Sequence, residues 1–147
     1  MNFQNEWHSD SGFPDQKVTP ELIEPYILPL VEALNKAGFK TRASCQGHLT
    51  LMGFLTTYVS FNSSSIEMSE SFERLLISVK LNLPWNLEAS FGNDRELWWR
   101  LFIYNDALKT QPPVWLPKLL GNRWLSRYRK MMKDDIIKII QMLESIK

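Results

Sequence analysis

The sequence predicts an α+β fold: a mainly antiparallel sheet of about four strands in hairpins, covered by helices, in the order α-β-β-α-β-β-α. Three observations carry this. Trp85, Leu87, Ala89 and Phe91 alternate with Asn86, Glu88 and Ser90, and a second run, Glu96 to Tyr104, follows the turn residues Gly92-Asn93-Asp94. Alternation on both sides of such a turn is a hairpin signal. Leu125, Tyr128, Met132, Ile136, Ile139, Leu143 and Ile146 step by three and four, the spacing of a helix with one apolar stripe. Strands also fall in pairs between helices instead of alternating with them, which favours antiparallel pairing.

Taken in order, residues 1–18 mix Trp7, His8, Gly12, Phe13 and Pro14 with polar residues and show no period, so they are expected to form an irregular arm on a single domain spanning 1–147. Thr19-Pro20-Glu21 is a helix-start signal. Ile23, Ile27, Leu30, Val31 and Leu34 then keep helical spacing up to Ala37. Pro25 and Pro29 each lack an N–H, so the alternative is a short turn with the helix starting near one of them. Gly38 suits the stop.

Phe39 to Cys45 alternates, with Phe39, Thr41, Ala43 and Cys45 expected on one face and Lys40, Arg42 and Ser44 on the other. Thr57, Val59 and Phe61 put a second strand in phase. Ser64 and Glu67 have capping-box spacing ahead of the stripe Met68, Phe72, Leu75, Leu76 and Val79, and Leu83-Pro84 ends that helix. The strand from Glu96 to Tyr104 carries apolar bulk on both faces, so it is expected to be central or covered twice. Lys109 to Pro117, with three prolines, is expected to be a loop. Gly121-Asn122 is expected to precede the last helix, Arg123 to about Ser145, and Asp134-Asp135 on it are expected to be surface charge.

Composition narrows the classes. Of 147 residues, 44% are hydrophobic and 22% charged, a globular balance that excludes a disordered or collagen-like chain. One cysteine, Cys45, excludes an internal disulfide framework and a multi-cysteine zinc site. No apolar run reaches the roughly 20 residues that span a bilayer. Met1 to Asp15 holds three acids and no Lys or Arg, unlike a signal peptide. A soluble, cytoplasmic protein with no membrane partner is expected. The net charge of +1 hides an excess of cations in residues 114–147, where Lys118, Arg123, Arg127, Arg129, Lys130 and Lys133 form an acid-free cluster. Such a cluster suits phosphates, an acidic protein face or plain solvation.

The compact polar motif is Thr41-Arg42-Ala43-Ser44-Cys45-Gln46-Gly47-His48. A strand delivers Cys45 to a bend, and Gly47 permits a positive φ or a close approach. A thiol becomes a nucleophile beside a base, and His48 stands three residues on. Cys45 and His48 are therefore the candidate catalytic pair, and Arg42, Ser44, Gln46 and Gly47 the candidate ligand-binding residues. A buried, structural Cys45 is the competing reading. No metal site is expected: one cysteine and two histidines would need a carboxylate's help.

The helix ending in Leu34-Asn35-Lys36, followed by Thr41-x-x-Ser44-Cys45-x-Gly47, resembles the N-terminal part of the wybutosine-synthesis tRNA methyltransferase family over about residues 22–48. Ser44, Cys45 and Gly47 match that family's Ser-Cys-Ser-Gly-Arg stretch, whereas Gln46 replaces Ser and His48 replaces Arg. The resemblance implies a shared fold with a small-ligand loop, and S-adenosylmethionine as the cofactor.

Six tryptophans are many for this length. Trp98, Arg100, Phe102 and Tyr104 share one strand face, which could stack bases, anchor a protein partner or be covered by helices. Three functions remain open from the residues. One is a ligand-binding or catalytic domain with its site at Ser44–His48, acting on an anionic or nucleotide-like ligand. The second is a protein–protein interaction module, an inhibitor or adaptor, with a homodimer through the C-terminal helix as one form. The third is a nucleic-acid-binding module using segment 118–133 with Lys118, Arg123, Arg127 and Lys130, alongside Trp98 and Arg100.

Overall fold

A computed structural model of the chain describes residues 23–50, 53–63, 65–92, 95–104 and 118–146. The expected arm with Trp7 and His8, the Thr19-Pro20 signal, Ser64 and the expected loop with Trp115 lie outside them. Among the described residues the order is α1 (Leu28–Lys36), β1 (Lys40–Cys45), β2 (His48–Thr50), β3 (Gly53–Leu55), β4 (Tyr58–Asn62), α2 (Ile66–Ser78), β5 (Trp85–Phe91), β6 (Leu97–Ile103) and α3 (Lys118–Ser145). The fold is α+β, as expected. One four-stranded antiparallel sheet has the order β1-β4-β6-β5, and β2 pairs with β3 in a separate ribbon. The ribbon is an addition to the expected order. Each of its strands has three residues, too few for alternation to register.

Helix α1 starts at Leu28 with Pro29 in its first turn, where a missing N–H costs nothing. Pro25 falls in the preceding turn, whose Glu24 carbonyl accepts the N–H groups of Ile27 and Leu28 at 3.2 and 3.1 Å. Gly38, at φ +97°, ends the helix. Asn35 then ties that end to β1, its amide donating to Thr41 Oγ1 at 2.7 Å and its Oδ1 accepting the Thr41 N–H at 3.1 Å.

The expected phase of β1 is broken. A bulge between Thr41 and Ala43 sets Thr41 opposite Phe61 but Ala43 opposite Ser60, so Ser44 pairs with Val59 and Cys45 with Tyr58. The extra residue is Arg42, and everything after it changes face. Cys45 therefore leaves the phase of Thr41.

The core lies between the helices and the face built from Val59, Phe61, Leu87, Leu101 and Ile103. Ile27, Leu30 and Leu34 of the α1 region meet it, with Phe72 and Leu76 of α2 and Tyr128, Met132, Ile136 and Ile139 of α3. Phe39 packs edge-on to Phe61 at 4.9 Å between centroids and lies 5.5 Å from Phe72. The apolar stripe of α3 is thus spent inside the chain's own core.

Four expectations about the helices are corrected. The N-cap of α2 is Ser65, whose Oγ accepts the Met68 N–H at 3.1 Å, and the helix stops at Ser78, well before Pro84. Helix α3 begins at Lys118, so Gly121 and Asn122 lie within it. Asp135 is not surface charge: it is fully buried and accepts the N–H groups of Asn82 and Leu83 at 2.7 and 2.8 Å and the Trp85 indole N–H at 3.0 Å. The chain after α2 has lost its helical bonds there, and one carboxylate satisfies three donors at once.

Candidate active site

The bend between β1 and β2 is held from three directions. Gln46 contributes its own backbone first. Its N–H donates to Glu24 Oε2 at 2.6 Å, and its carbonyl accepts the Thr57 hydroxyl at 2.9 Å and an Arg129 N–H. Its side-chain Oε1 accepts the Tyr26 N–H at 3.1 Å. The second guanidinium nitrogen of Arg129 donates to the Gly47 carbonyl, and the guanidinium carbon lies 4.9 Å from the centre of the Tyr26 ring.

Gly47 is buried at φ +83°, and a Cβ there would sit 2.7 Å from Phe54 Cζ and 2.8 Å from Thr57 Oγ1. Only glycine fits both the conformation and the space. Phe54 is itself fixed, edge-on to Trp124 and Tyr128 at 4.9 and 4.8 Å. The β2–β3 ribbon is therefore pinned to α3 through aromatic rings, and the bend is pinned with it.

Around this bend, Cys45, His48 and Glu24 converge. One donor atom from each lies within 4.8 Å of the other two. His48 Nε2 contacts Glu24 Oε1, while the other carboxylate oxygen is held by the Gln46 N–H. The Gly47 N–H donates to Cys45 Sγ at 3.4 Å. Cys45 is half-buried and forms no disulfide, and the side chains of His48 and Glu24 are 43% and 32% exposed. Glu24 and Cys45 each accept a backbone N–H, His48 is held by Glu24, and the site remains open to a small molecule. A carboxylate beside an imidazole orients the ring and stabilises its protonated form, and an imidazole beside a thiol can take its proton.

Burial lowers the Arg129 guanidinium from its ordinary range, and the neighbouring Tyr128, Tyr26, Glu24 and Cys45 pull it back up. Burial pushes the Tyr128 phenol up to about 12 against the hydrogen bond with Thr57, 2.6 Å away. Tyr128 is thus a neutral strut behind the bend.

The remaining expected site residues are distributed elsewhere. Arg42, exposed at the bulge, lies over Trp98 at 4.5 Å. Ser44 pairs with Val59 in the sheet. Trp98, Arg100 and Phe102 are buried on the sheet face that the main core does not use, with Arg100 stacked on Tyr58 and Phe102 at 4.7 and 5.1 Å. Arg123, Arg127 and Lys130 are exposed on α3, which Lys118 opens, and take no part in the bonds just described. A groove of about 610 Å³ between α1 and the end of α3, lined by Glu32, Lys36, Ile140 and Glu144 among others, contains none of the expected residues.

Sequence reasoning passed over Glu24, Arg129 and Thr57 as site residues. Glu24 carries no local signal, being 24 positions from His48. Arg129 had one: it follows Leu125 by four residues and so flanks the apolar stripe, unlike Arg127 and Lys130. No protein-family model, curated protein or solved structure matches this chain.

Proposed function

We propose that this chain is a ligand-binding or catalytic domain working through the Ser44–His48 bend. In this reading Cys45 is a nucleophilic thiol, His48 is its base, and Glu24 orients the imidazole. The observation that carries the reading is the convergence of the three donor atoms within 4.8 Å at a partly exposed position. The thiol proton passes to His48 as sulfur adds to an electrophilic unsaturated carbon, whose π pair moves onto the attached oxygen or nitrogen, and Glu24 offsets the charge that forms on the ring. The Gly47 N–H on the sulfur favours the same direction, because a thiolate accepts a hydrogen bond more strongly than a thiol.

The ligand is proposed to be anionic or nucleotide-like; Arg42, Arg123, Arg127 and Lys130 are exposed cations outside the bend whose field would steer such a ligand toward it. S-adenosylmethionine is worth testing as a ligand because of the resemblance over residues 22–48. A nucleophilic thiol outside any disulfide suits a reducing compartment, which is the support for a cytoplasmic location. Among the described residues no helix is long and apolar enough to cross a membrane.

The test is the rate of alkylation of Cys45 by iodoacetamide, followed by mass, in the native chain and in the urea-unfolded chain. The native thiol is expected to react at least about tenfold faster, and His48→Ala to remove the excess. Equal native and unfolded rates, or a native rate indifferent to His48, would refute the nucleophile reading.

A further inference from the structure

We infer that Glu24, Cys45 and His48 together bind one Zn2+ ion, with the fourth tetrahedral position left to water or a ligand anion. The inference uses the same cluster as the proposed function but does not depend on the thiol being a nucleophile.

The donor chemistry selects the ion. Sulfur and imidazole nitrogen with one carboxylate oxygen suit borderline-soft Zn2+, whereas Mg2+ and Ca2+ take oxygen sets. Three protein ligands and one open position is the arrangement of working zinc sites, while structural sites are closed by four. Zinc bonds of about 2.0–2.3 Å place tetrahedral donors roughly 3.3–3.8 Å apart. The three donors here already lie within 4.8 Å, so small side-chain rotations close the set. Zinc would take the place of the direct contact between His48 Nε2 and Glu24 Oε1.

The surrounding bonds are those a metal site needs. Ligands hold a metal well when their other atoms are fixed. Glu24 Oε2 is fixed by the Gln46 N–H at 2.6 Å, and Cys45 Sγ accepts the Gly47 N–H at 3.4 Å. Arg129 and Thr57 hold the carbonyls of the two residues between Cys45 and His48. The bend is therefore ordered before any ion arrives, which removes part of the ordering cost of binding. The guanidinium of Arg129 donates to those carbonyls, while its charge also acts on Glu24 and Cys45, so zinc binding has to outweigh that neighbouring cation.

The zinc-bound thiolate and the metal-free thiol are then two states of one site. With zinc bound, Cys45 is a ligand and its sulfur is shielded from electrophiles. The metal-stripped 147-residue chain should bind Zn2+ one-to-one in competition with a chromophoric chelator under reducing conditions. Cys45→Ser, His48→Ala and Glu24→Gln should each weaken binding by at least about tenfold. One equivalent of Zn2+ should slow alkylation of Cys45, and Co2+ should give a thiolate-to-metal absorption that Cys45→Ser abolishes. His8→Ala should bind as wild type does.

Absence of one-to-one binding overturns the inference, and so does wild-type affinity in Cys45→Ser, whose side chain is small enough to leave the bend folded. A loss in His8→Ala equal to that in His48→Ala also overturns it, because the ligand set would then differ. The two readings fail separately. Fast, His48-dependent alkylation with no zinc binding sinks only the zinc site. Tight zinc binding with an ordinary alkylation rate in the stripped chain sinks only the nucleophile.

Discussion

Arg129 and Gly47 meet across 82 positions of chain, the guanidinium of one donating to the main-chain carbonyl of the other. The longest helix thereby grips the bend that presents Cys45 and His48. Arg129→Met keeps most of the stem and removes both donors. The Gly47 carbonyl would lose this bond, while Gln46 would keep Thr57. A loss of about 2 kcal/mol in urea denaturation is expected, since bonds from charged donors are worth about 1.5–3 kcal/mol each and water replaces part of that at a half-exposed site. Unchanged stability would mean that the bend stands without the helix.

Gly47→Ala tests the same grip from the other side. The residue at φ +83° would gain a Cβ in collision with Phe54 and Thr57. Left-handed backbone costs an L-residue about 1–2 kcal/mol before the collision is counted. At least about 2 kcal/mol should be lost, which lowers Tm by roughly 4–8 °C in a chain of this size. A Tm within 1 °C or so of wild type, measured by calorimetry, would contradict the geometry.

Asp134 and Asp135 are adjacent and should behave oppositely. Asp135→Ala leaves the N–H groups of Asn82 and Leu83 and the Trp85 indole without their acceptor. A loss of roughly 3 kcal/mol is expected in chemical denaturation, because each buried unsatisfied donor costs about 1–3 kcal/mol and relaxation recovers some of it. Asp134 is exposed, and Asp134→Ala should shift stability by no more than about 0.5 kcal/mol. Similar effects at the two positions would refute the buried role.

Tyr128 predicts a loss of stability in alkali. Its phenol ionises near 10 in the unfolded chain and at about 12 in the folded one, chiefly because burial opposes the charge. The folded state then holds the proton longer. This contribution is fully present below pH 10 and is lost as pH rises from 10 to about 12, by up to roughly 2–3 kcal/mol. Tyr128→Phe removes the Thr57 bond and is less stable at neutral pH, but its curve should be flatter across that window. An identical slope in the variant would show that other groups drive the alkaline loss.

The residues that keep a strict period were legible, and those that work at the site mostly were not. The hairpin of β5 and β6 and the stripe of α3 follow from spacing alone, because burial on one face repeats every second or every third-to-fourth residue. Cys45, Gly47 and His48 stood out as a polar bend after a strand. The bulge at Arg42 did not, because an inserted residue shifts phase without changing composition. Asp135 looks like its neighbour Asp134 until the loop it serves is folded onto it.

By itself the sequence determined the α+β class, the four main strands, the buried stripe of the last helix and the bend at 44–48. Each is set by forces among residues a few positions apart. The tertiary structure alone brought Glu24 to His48 and Arg129 to Gly47, and it turned Cys45 away from the phase of Thr41. Those relationships depend on sheet order and helix docking, which join segments tens of residues apart through contacts that leave no local pattern.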